Sequence, residues 1–235
     1  MRKPRQKLPP LGNAEKIELT ISYVLKAIML FTIIMSFVEF NLFLMAMSLL
    51  ILVFSALPAI IERTFRITLP VEVELVLTAF IFAHFILGEA ENYYNRFWFF
   101  DLIIHSSSGI LIGMVGFIIM YFFLYSRRVS ANPLIVSVFC VSFSLAAGAL
   151  WEIFEFGMDQ ILGFNMQKTG NMDTMSDLIV DFLGACVVGF WVYRYLTKNE
   201  DGLVKLMINR FIQYNLRLRD RRQRRKSRGK IAGAA

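Results

Sequence analysis

Eight side chains of this sequence could do chemistry: His84, Asp101, His105, Glu152, Glu155, Asp173, Asp177 and Asp181. All fall within, or at the edge of, stretches dominated by Leu, Ile, Val, Phe and Met, where an ionisable group is costly unless it is paired or lines a wet cavity. Asp101 and His105 stand at i,i+4 and Glu152 and Glu155 at i,i+3, with Asp159 continuing that face. Asp173, Asp177 and Asp181 follow at i, i+4 and i+8, so each set leaves one side of its helix. Carboxylates gathered in a low dielectric repel, so either some stay protonated or a cation neutralises them. Arg96 and Lys168 are too few to do so. Acids with one or two imidazoles suit a divalent ion such as Zn, Mn, Fe or Mg better than a thiolate-loving one. Such an ion could activate water or polarise a phosphoryl or carbonyl oxygen.

Each piece alone has a plainer explanation. Asp101 with His105 is ordinarily a buried ion pair, Glu152 near an interface is solvated, and an Asp at a helix start is a cap. The argument for a shared polar cavity is their convergence, which depends on the elements that carry them.

A bilayer core about 30 Å thick takes about 20 apolar residues of helix. The run 21–61 would be roughly 60 Å long as one helix, so it must reverse, and Glu39 and Asn41 mark the only polar point near its middle. The predicted spans are therefore 21–38, 42–61, 71–88, 97–125, 134–156 and 174–196. Lys26, near the start of the first, can reach the interface along its stem. The first span lacks a small-residue cleavage site and runs on into the second, so it reads as an uncleaved span.

Taken alternately, one set of loops holds the basic N-terminus, Arg63, Arg66, Arg127, Arg128 and the C-terminal tail; the other holds only Arg96 and Lys168. The positive-inside bias then predicts both termini in the cytoplasm. In that frame His84 lies about 20 Å up an outward-running helix and His105 about 12 Å down an inward-running one. The paired acids fall where the fifth span ends and the sixth begins, so four helices bring titratable groups to one level in the outer half.

The charge distribution agrees with this division. Of 25 basic residues, 17 lie in 1–20 and 198–235, whereas 21–197 holds 8 basic and 13 acidic side chains among its apolar ones. The expected organisation is a basic cytoplasmic segment 1–20, a membrane domain 21–197 and a basic cytoplasmic tail 198–235. In the tail, Arg221, Arg222, Arg224, Arg225 and Lys226 are expected to contact anionic lipid headgroups. Nucleic acid is not an expected partner, because no aromatic residues interleave the arginines. A chain that is 57% apolar with two cysteines is neither disordered nor a disulfide-stapled secreted domain. Ser106, Ser107, Ser108 and Gly109, with Gly184 and Ala185, are expected to let helices approach closely rather than to act as nucleophiles.

Over about 80–190 the chain resembles the YjdF-like family of uncharacterised bacterial inner-membrane proteins. The matching pieces are His84 with Gly88, Tyr93 and Tyr94; FDLIIHSSSG from Phe100 to Gly109; WEIFEF from Trp151 to Phe156; and QKTGNMDTMSDLIVDFLGA from Gln167 to Ala185. The Asp–His helix, Glu helix and Asp-plus-Gly-Ala helix are more remotely similar to VanZ-like proteins. The family pattern near the last motif is closer to TQGD followed by two further Asp; here Asn171 stands near the first of those acids and Asp181 is an added carboxylate. The resemblance implies a location in the bacterial cytoplasmic membrane and no particular reaction.

The sequence thus predicts an all-α, multi-pass bundle of about six spans with an outward-facing His/Asp/Glu site. The expected activity is that of a metal-dependent enzyme acting on a lipid or cell-envelope substrate. A cation- or proton-coupled transporter, or a non-catalytic accessory protein, are the alternatives.

Overall fold

The computed structural model describes residues 13–65, 71–125 and 129–198, and the tail arginines expected at lipid headgroups, Arg221 to Arg225, and Lys226 lie outside them. The described residues form α1 (Asn13–Val38), α2 (Leu42–Phe65), α3 (Val71–Ile81), a π-helical continuation of α3 (Phe82–Ala90), a single turn α4 (Tyr93–Arg96), α5 (Phe100–Tyr125), α6 (Pro133–Leu162) and α7 (Asn171–Lys198). Six helical segments are long and apolar enough to cross a membrane, the third being α3 with its continuation. No strand occurs among the described residues. Large apolar side chains such as Phe31, Leu49, Ile153 and Phe190 stay half exposed or more, as lipid-facing residues do and as a water-soluble surface rarely tolerates in such number.

Two compact units divide the chain, Met1–Ile86 and Leu87–Ala235. In the first, α1 reverses into α2 at Glu39 to Asn41, where the polar residues place the turn. Phe40 takes a left-handed conformation (φ 50°), and the Asn41 side chain accepts the Leu44 N–H at 3.1 Å to start the next helix. Hydroxyl pairs join the helices: Ser36 with Ser48 at 3.0 Å, and Ser22 with Thr78 at 3.4 Å. Lys26, near the start of α1, is ion-paired with Glu74 of α3.

In the second unit α5, α6 and α7 pack against one another in all three pairings. Met114, Phe117, Val136, Cys140, Val188 and Val192 form its apolar core. The contact between α5 and α7 is a backbone approach made possible by missing side chains. A Cβ on Gly109 would stand 2.4 Å from the Asp181 carbonyl oxygen, and one on Gly184 would stand 2.4 Å from that of Ser106. Ser144 of α6 donates to the Gly109 carbonyl at 2.8 Å, tying the third helix to the same spot.

Several helix limits differ from the expectation. The sequence stops the fifth span at 156, but α6 continues to Leu162 and ends on Gly163, whose left-handed backbone (φ 68°) returns its N–H to the Asp159 carbonyl. Polar side chains there remove the bilayer's reason to call the segment a span without removing the backbone's reason to stay helical. The loop left between the predicted spans, 157–173, shrinks to 163–170. Residues 97–99 are likewise outside α5, because α4 ends at Arg96 and Phe97 is extended.

Candidate functional site

His105 lies at the centre of the polar groups of the second unit. It projects from the second turn of α5, is 5% exposed, and meets carboxylates on both ring nitrogens. Its Nδ1 is 3.3 Å from Asp181 Oδ2, while its Nε2 faces Asp101 Oδ1 at 3.7 Å and Asp177 Oδ2 at 3.9 Å. Asp101 stands one turn before the histidine on α5, whereas Asp177 and Asp181 come one turn apart from α7. The glycine contacts described above are what bring those two helices near enough for the meeting.

The two sides of the imidazole differ. On the Nδ1 side Asp181, 1% exposed, is fixed from several directions. The Ser108 hydroxyl lies 2.7 Å from Asp181 Oδ1 and 2.7 Å from the His105 carbonyl oxygen, sharing its one proton between them. A Cβ on Gly148 of α6 would stand 2.3 Å from Asp181 Oδ2, so that glycine is the floor of the niche. On the Nε2 side the separations exceed a hydrogen bond. They fall within the about 3–4 Å expected between two ligands each about 2.1 Å from a shared ion. Asp101, His105 and Asp177 each offer a ligand atom, all within 4.8 Å of one another.

Lys168 reaches this cluster from the 163–170 loop. It donates to Asp101 Oδ2 at 2.9 Å and lies 4.2 Å from the centre of the Tyr94 ring. The loop is held by Asp159, whose two oxygens accept the N–H groups of Met166 and Gln167 at 2.7 and 2.9 Å. Tyr94, in the turn before α5, is buried, and its phenol is pushed well above its ordinary range, first by burial and then by the nearby Asp101, Glu89, Glu155 and Asp177. Asp101 and Lys168, with side chains 19% and 22% exposed, are the cluster's more open members.

The remaining residues singled out from the sequence have distinct places. Glu155, 7% exposed, accepts the Trp151 indole N–H at 2.9 Å. Glu152, 4% exposed, has both oxygens buried without a hydrogen-bond partner. Asp173 is in the first turn of α7, its N–H bonded to the Gly170 carbonyl at 3.0 Å. His84 belongs to the first unit, stacked on Phe80 and edge-on to Phe85 within the π-helical stretch. Sequence reasoning passed over three contributors: Ser108, set aside as a packing residue; Gly148, given no role; and Lys168, dismissed by count. A basic residue alone in a loop between two acid-bearing helices was the available signal for Lys168.

The comparisons with known proteins concern the whole membrane region. No solved structure matches this chain. An uncharacterised protein of Thermotoga maritima is 33% identical over 145 residues, covering 60% of this chain and 71% of the relative. Residues 20–198 match a family described as "Predicted membrane protein (DUF2238)", a range that takes in every described span almost completely. The chain therefore belongs to the DUF2238 family of predicted membrane proteins.

Proposed function

We propose that Asp101, His105 and Asp177 hold a divalent cation and that this ion acts on a polar group of a lipid or cell-envelope substrate. The observation that carries the reading is the asymmetry around His105. Its Nδ1 is oriented by the buried, doubly engaged Asp181, while its Nε2 is turned to two carboxylates too far to hydrogen-bond and well spaced to share an ion. A carboxylate holding the far nitrogen of a ligating imidazole is the usual outer-shell partner of a metal-binding histidine. The donor set, one imidazole and two carboxylates, fits Zn, Mn or Fe and is less suited to Mg. When bound, the ion would supply Lewis acidity toward a phosphoryl or carbonyl oxygen.

The chain's own groups have separable tasks in this proposal. Asp181 fixes the imidazole. Lys168 balances Asp101 and presents a positive charge at the cluster's more open side, where an anionic group would arrive. Glu152, buried on α6, is a further candidate proton acceptor or ligand in this proposal. By the distribution of basic residues, the cluster faces outward from a bacterial cytoplasmic membrane with both termini inside. The likeness to YjdF-like proteins supports that placement and is silent on the reaction.

Metal analysis of the purified protein tests the reading. About one Zn, Mn or Fe per chain is expected, lost in His105→Ala and held about 10–100-fold more weakly in Asp181→Asn. Negligible metal in all three proteins would remove it. The ion pair of Lys168 with Asp101, which neutralises one acid without any metal, would then favour a proton- or cation-coupled transporter. Flux into liposomes lost on Asp177→Asn is the matching observation.

A further inference from the structure

The first unit contains a second polar site, separate in composition from the histidine cluster. A recess of about 120 Å³ opens between its three helices, lined by Lys26 of α1, Ser55 and Pro58 of α2, and Glu74, Thr78 and Ile81 of α3. Lys26 and Glu74 are paired across it, their side chains about one-third exposed at 34% and 37%. The Ser55 hydroxyl is buried and has no hydrogen-bond partner. Pro58, inside α2, withdraws a backbone N–H from the helix at the same wall. Thr78 donates its hydroxyl back to the Glu74 carbonyl at 2.8 Å and so fixes the turn that carries the acid.

The pair is partly open to the recess, its side chains about one-third exposed. Here the pair leaves capacity over. An ammonium has three donors and a carboxylate about four acceptor positions, of which their mutual contact uses one each. The unused hydroxyl in the same recess adds a further donor. A ligand that satisfies all three must carry an anion for Lys26 and Ser55 and a cation with N–H donors for Glu74, joined at short range. A phosphate linked to a primary ammonium has this form. We propose that the recess binds the phosphoethanolamine group, presented either by a phospholipid of the surrounding bilayer or as the free molecule. Phosphate oxygens take donors from Lys26 and Ser55, and the ammonium donates to Glu74.

The test compares headgroups that differ in one feature. The full chain is reconstituted in vesicles of equal parts phosphatidylethanolamine, phosphatidylglycerol and phosphatidylcholine, extracted in mild detergent, and its retained lipid measured by mass spectrometry. Free phosphoethanolamine is titrated separately by calorimetry. Retention of phosphatidylethanolamine at least about fivefold above both other lipids supports the lipid source; saturable binding of the free molecule without that enrichment supports the soluble source. In either case Glu74→Gln should reduce the preference about tenfold, as loss of a charge-assisted bond does. Ser55→Ala, which removes no existing hydrogen bond, should weaken it about threefold while leaving thermal stability unchanged. Enrichment of phosphatidylglycerol alone would mean that Lys26 or the basic tail selects by charge, and overturns the proposal. So does equal retention of all three lipids with no binding of the free molecule, or a preference that survives Glu74→Gln.

Discussion

Replacing Gly148 by alanine is a single-methyl probe of how the His105 cluster is held. The new Cβ would stand 2.3 Å from Asp181 Oδ2, about 1 Å short of ordinary van der Waals contact. The carboxylate has little room to retreat. Its own main chain is pressed against Gly109, where a Cβ would stand only 2.4 Å from the Asp181 carbonyl oxygen, and Oδ1 is engaged by Ser108 at 2.7 Å. Overpacking of this kind costs about 1–3 kcal/mol. A weakened His105–Asp181 bond adds about 1 kcal/mol, as a hydrogen bond between membrane helices does. Against these stands the gain of about 1 kcal/mol for alanine over glycine within a helix. The net expectation is a loss of about 1–3 kcal/mol, or roughly 2–12 °C in Tm for a chain of this size. Gly157→Ala is the matched control, because it lies on the same helix with no atom within 4 Å of its Cβ position, so only the helical gain applies. Thermal unfolding of both variants in one detergent should show Gly148→Ala lowered and Gly157→Ala unchanged or raised. Equal shifts in one direction would refute the packing argument, whatever the metal content.

Asp159→Ala leaves the N–H groups of Met166 and Gln167 without their carboxylate, a loss of about 2 kcal/mol confined to the loop. Limited trypsin digestion should then cut after Lys168 several-fold faster than in the parent protein; an unchanged rate would show that the clamp does not hold the loop. Tyr94, with its phenol raised by burial and by neighbouring carboxylates, should remain protonated beyond pH ~10, where exposed tyrosines ionise. In absorbance titration Tyr94→Phe should therefore leave the amplitude of the first tyrosinate step unchanged, and a reduced amplitude would contradict the burial. Because the unfolded chain releases this proton first, Tyr94's contribution to stability is present below about pH 10 and falls as pH rises through its folded value.

The number of spans and the α1–α2 reversal were legible because a bilayer converts length and apolar content into a count, and Glu39 and Asn41 interrupt the longest run where a reversal has to occur. Helix ends were legible only where the polar boundary and the backbone boundary coincide. At α6 they do not: Asp159 is too polar for the bilayer core, yet it helps end the helix two turns later than composition suggests. Within the cluster, the i,i+4 spacing of Asp101 and His105 could be read directly. The meeting of His105 with Asp177 and Asp181 could not, since it requires the rotation of α7 about its axis, which is set by Gly109 and Gly184 at the contact. Depth along a helix was also the ground for including His84, whose ring stacks on Phe80 in the first unit.

The placement of Lys168 gives the 163–170 loop a stake in whatever occupies the cluster. If a cation binds between His105 and Asp101 as proposed, it would bring positive charge up to the carboxylate that Lys168 already answers, and the two would repel across it. The loop end that carries the lysine would be eased outward, while Asp159 anchors its neighbours Met166 and Gln167. Occupancy of the cluster by the proposed ion would in this way be felt in the 163–170 loop, through one tether that loosens and one that does not.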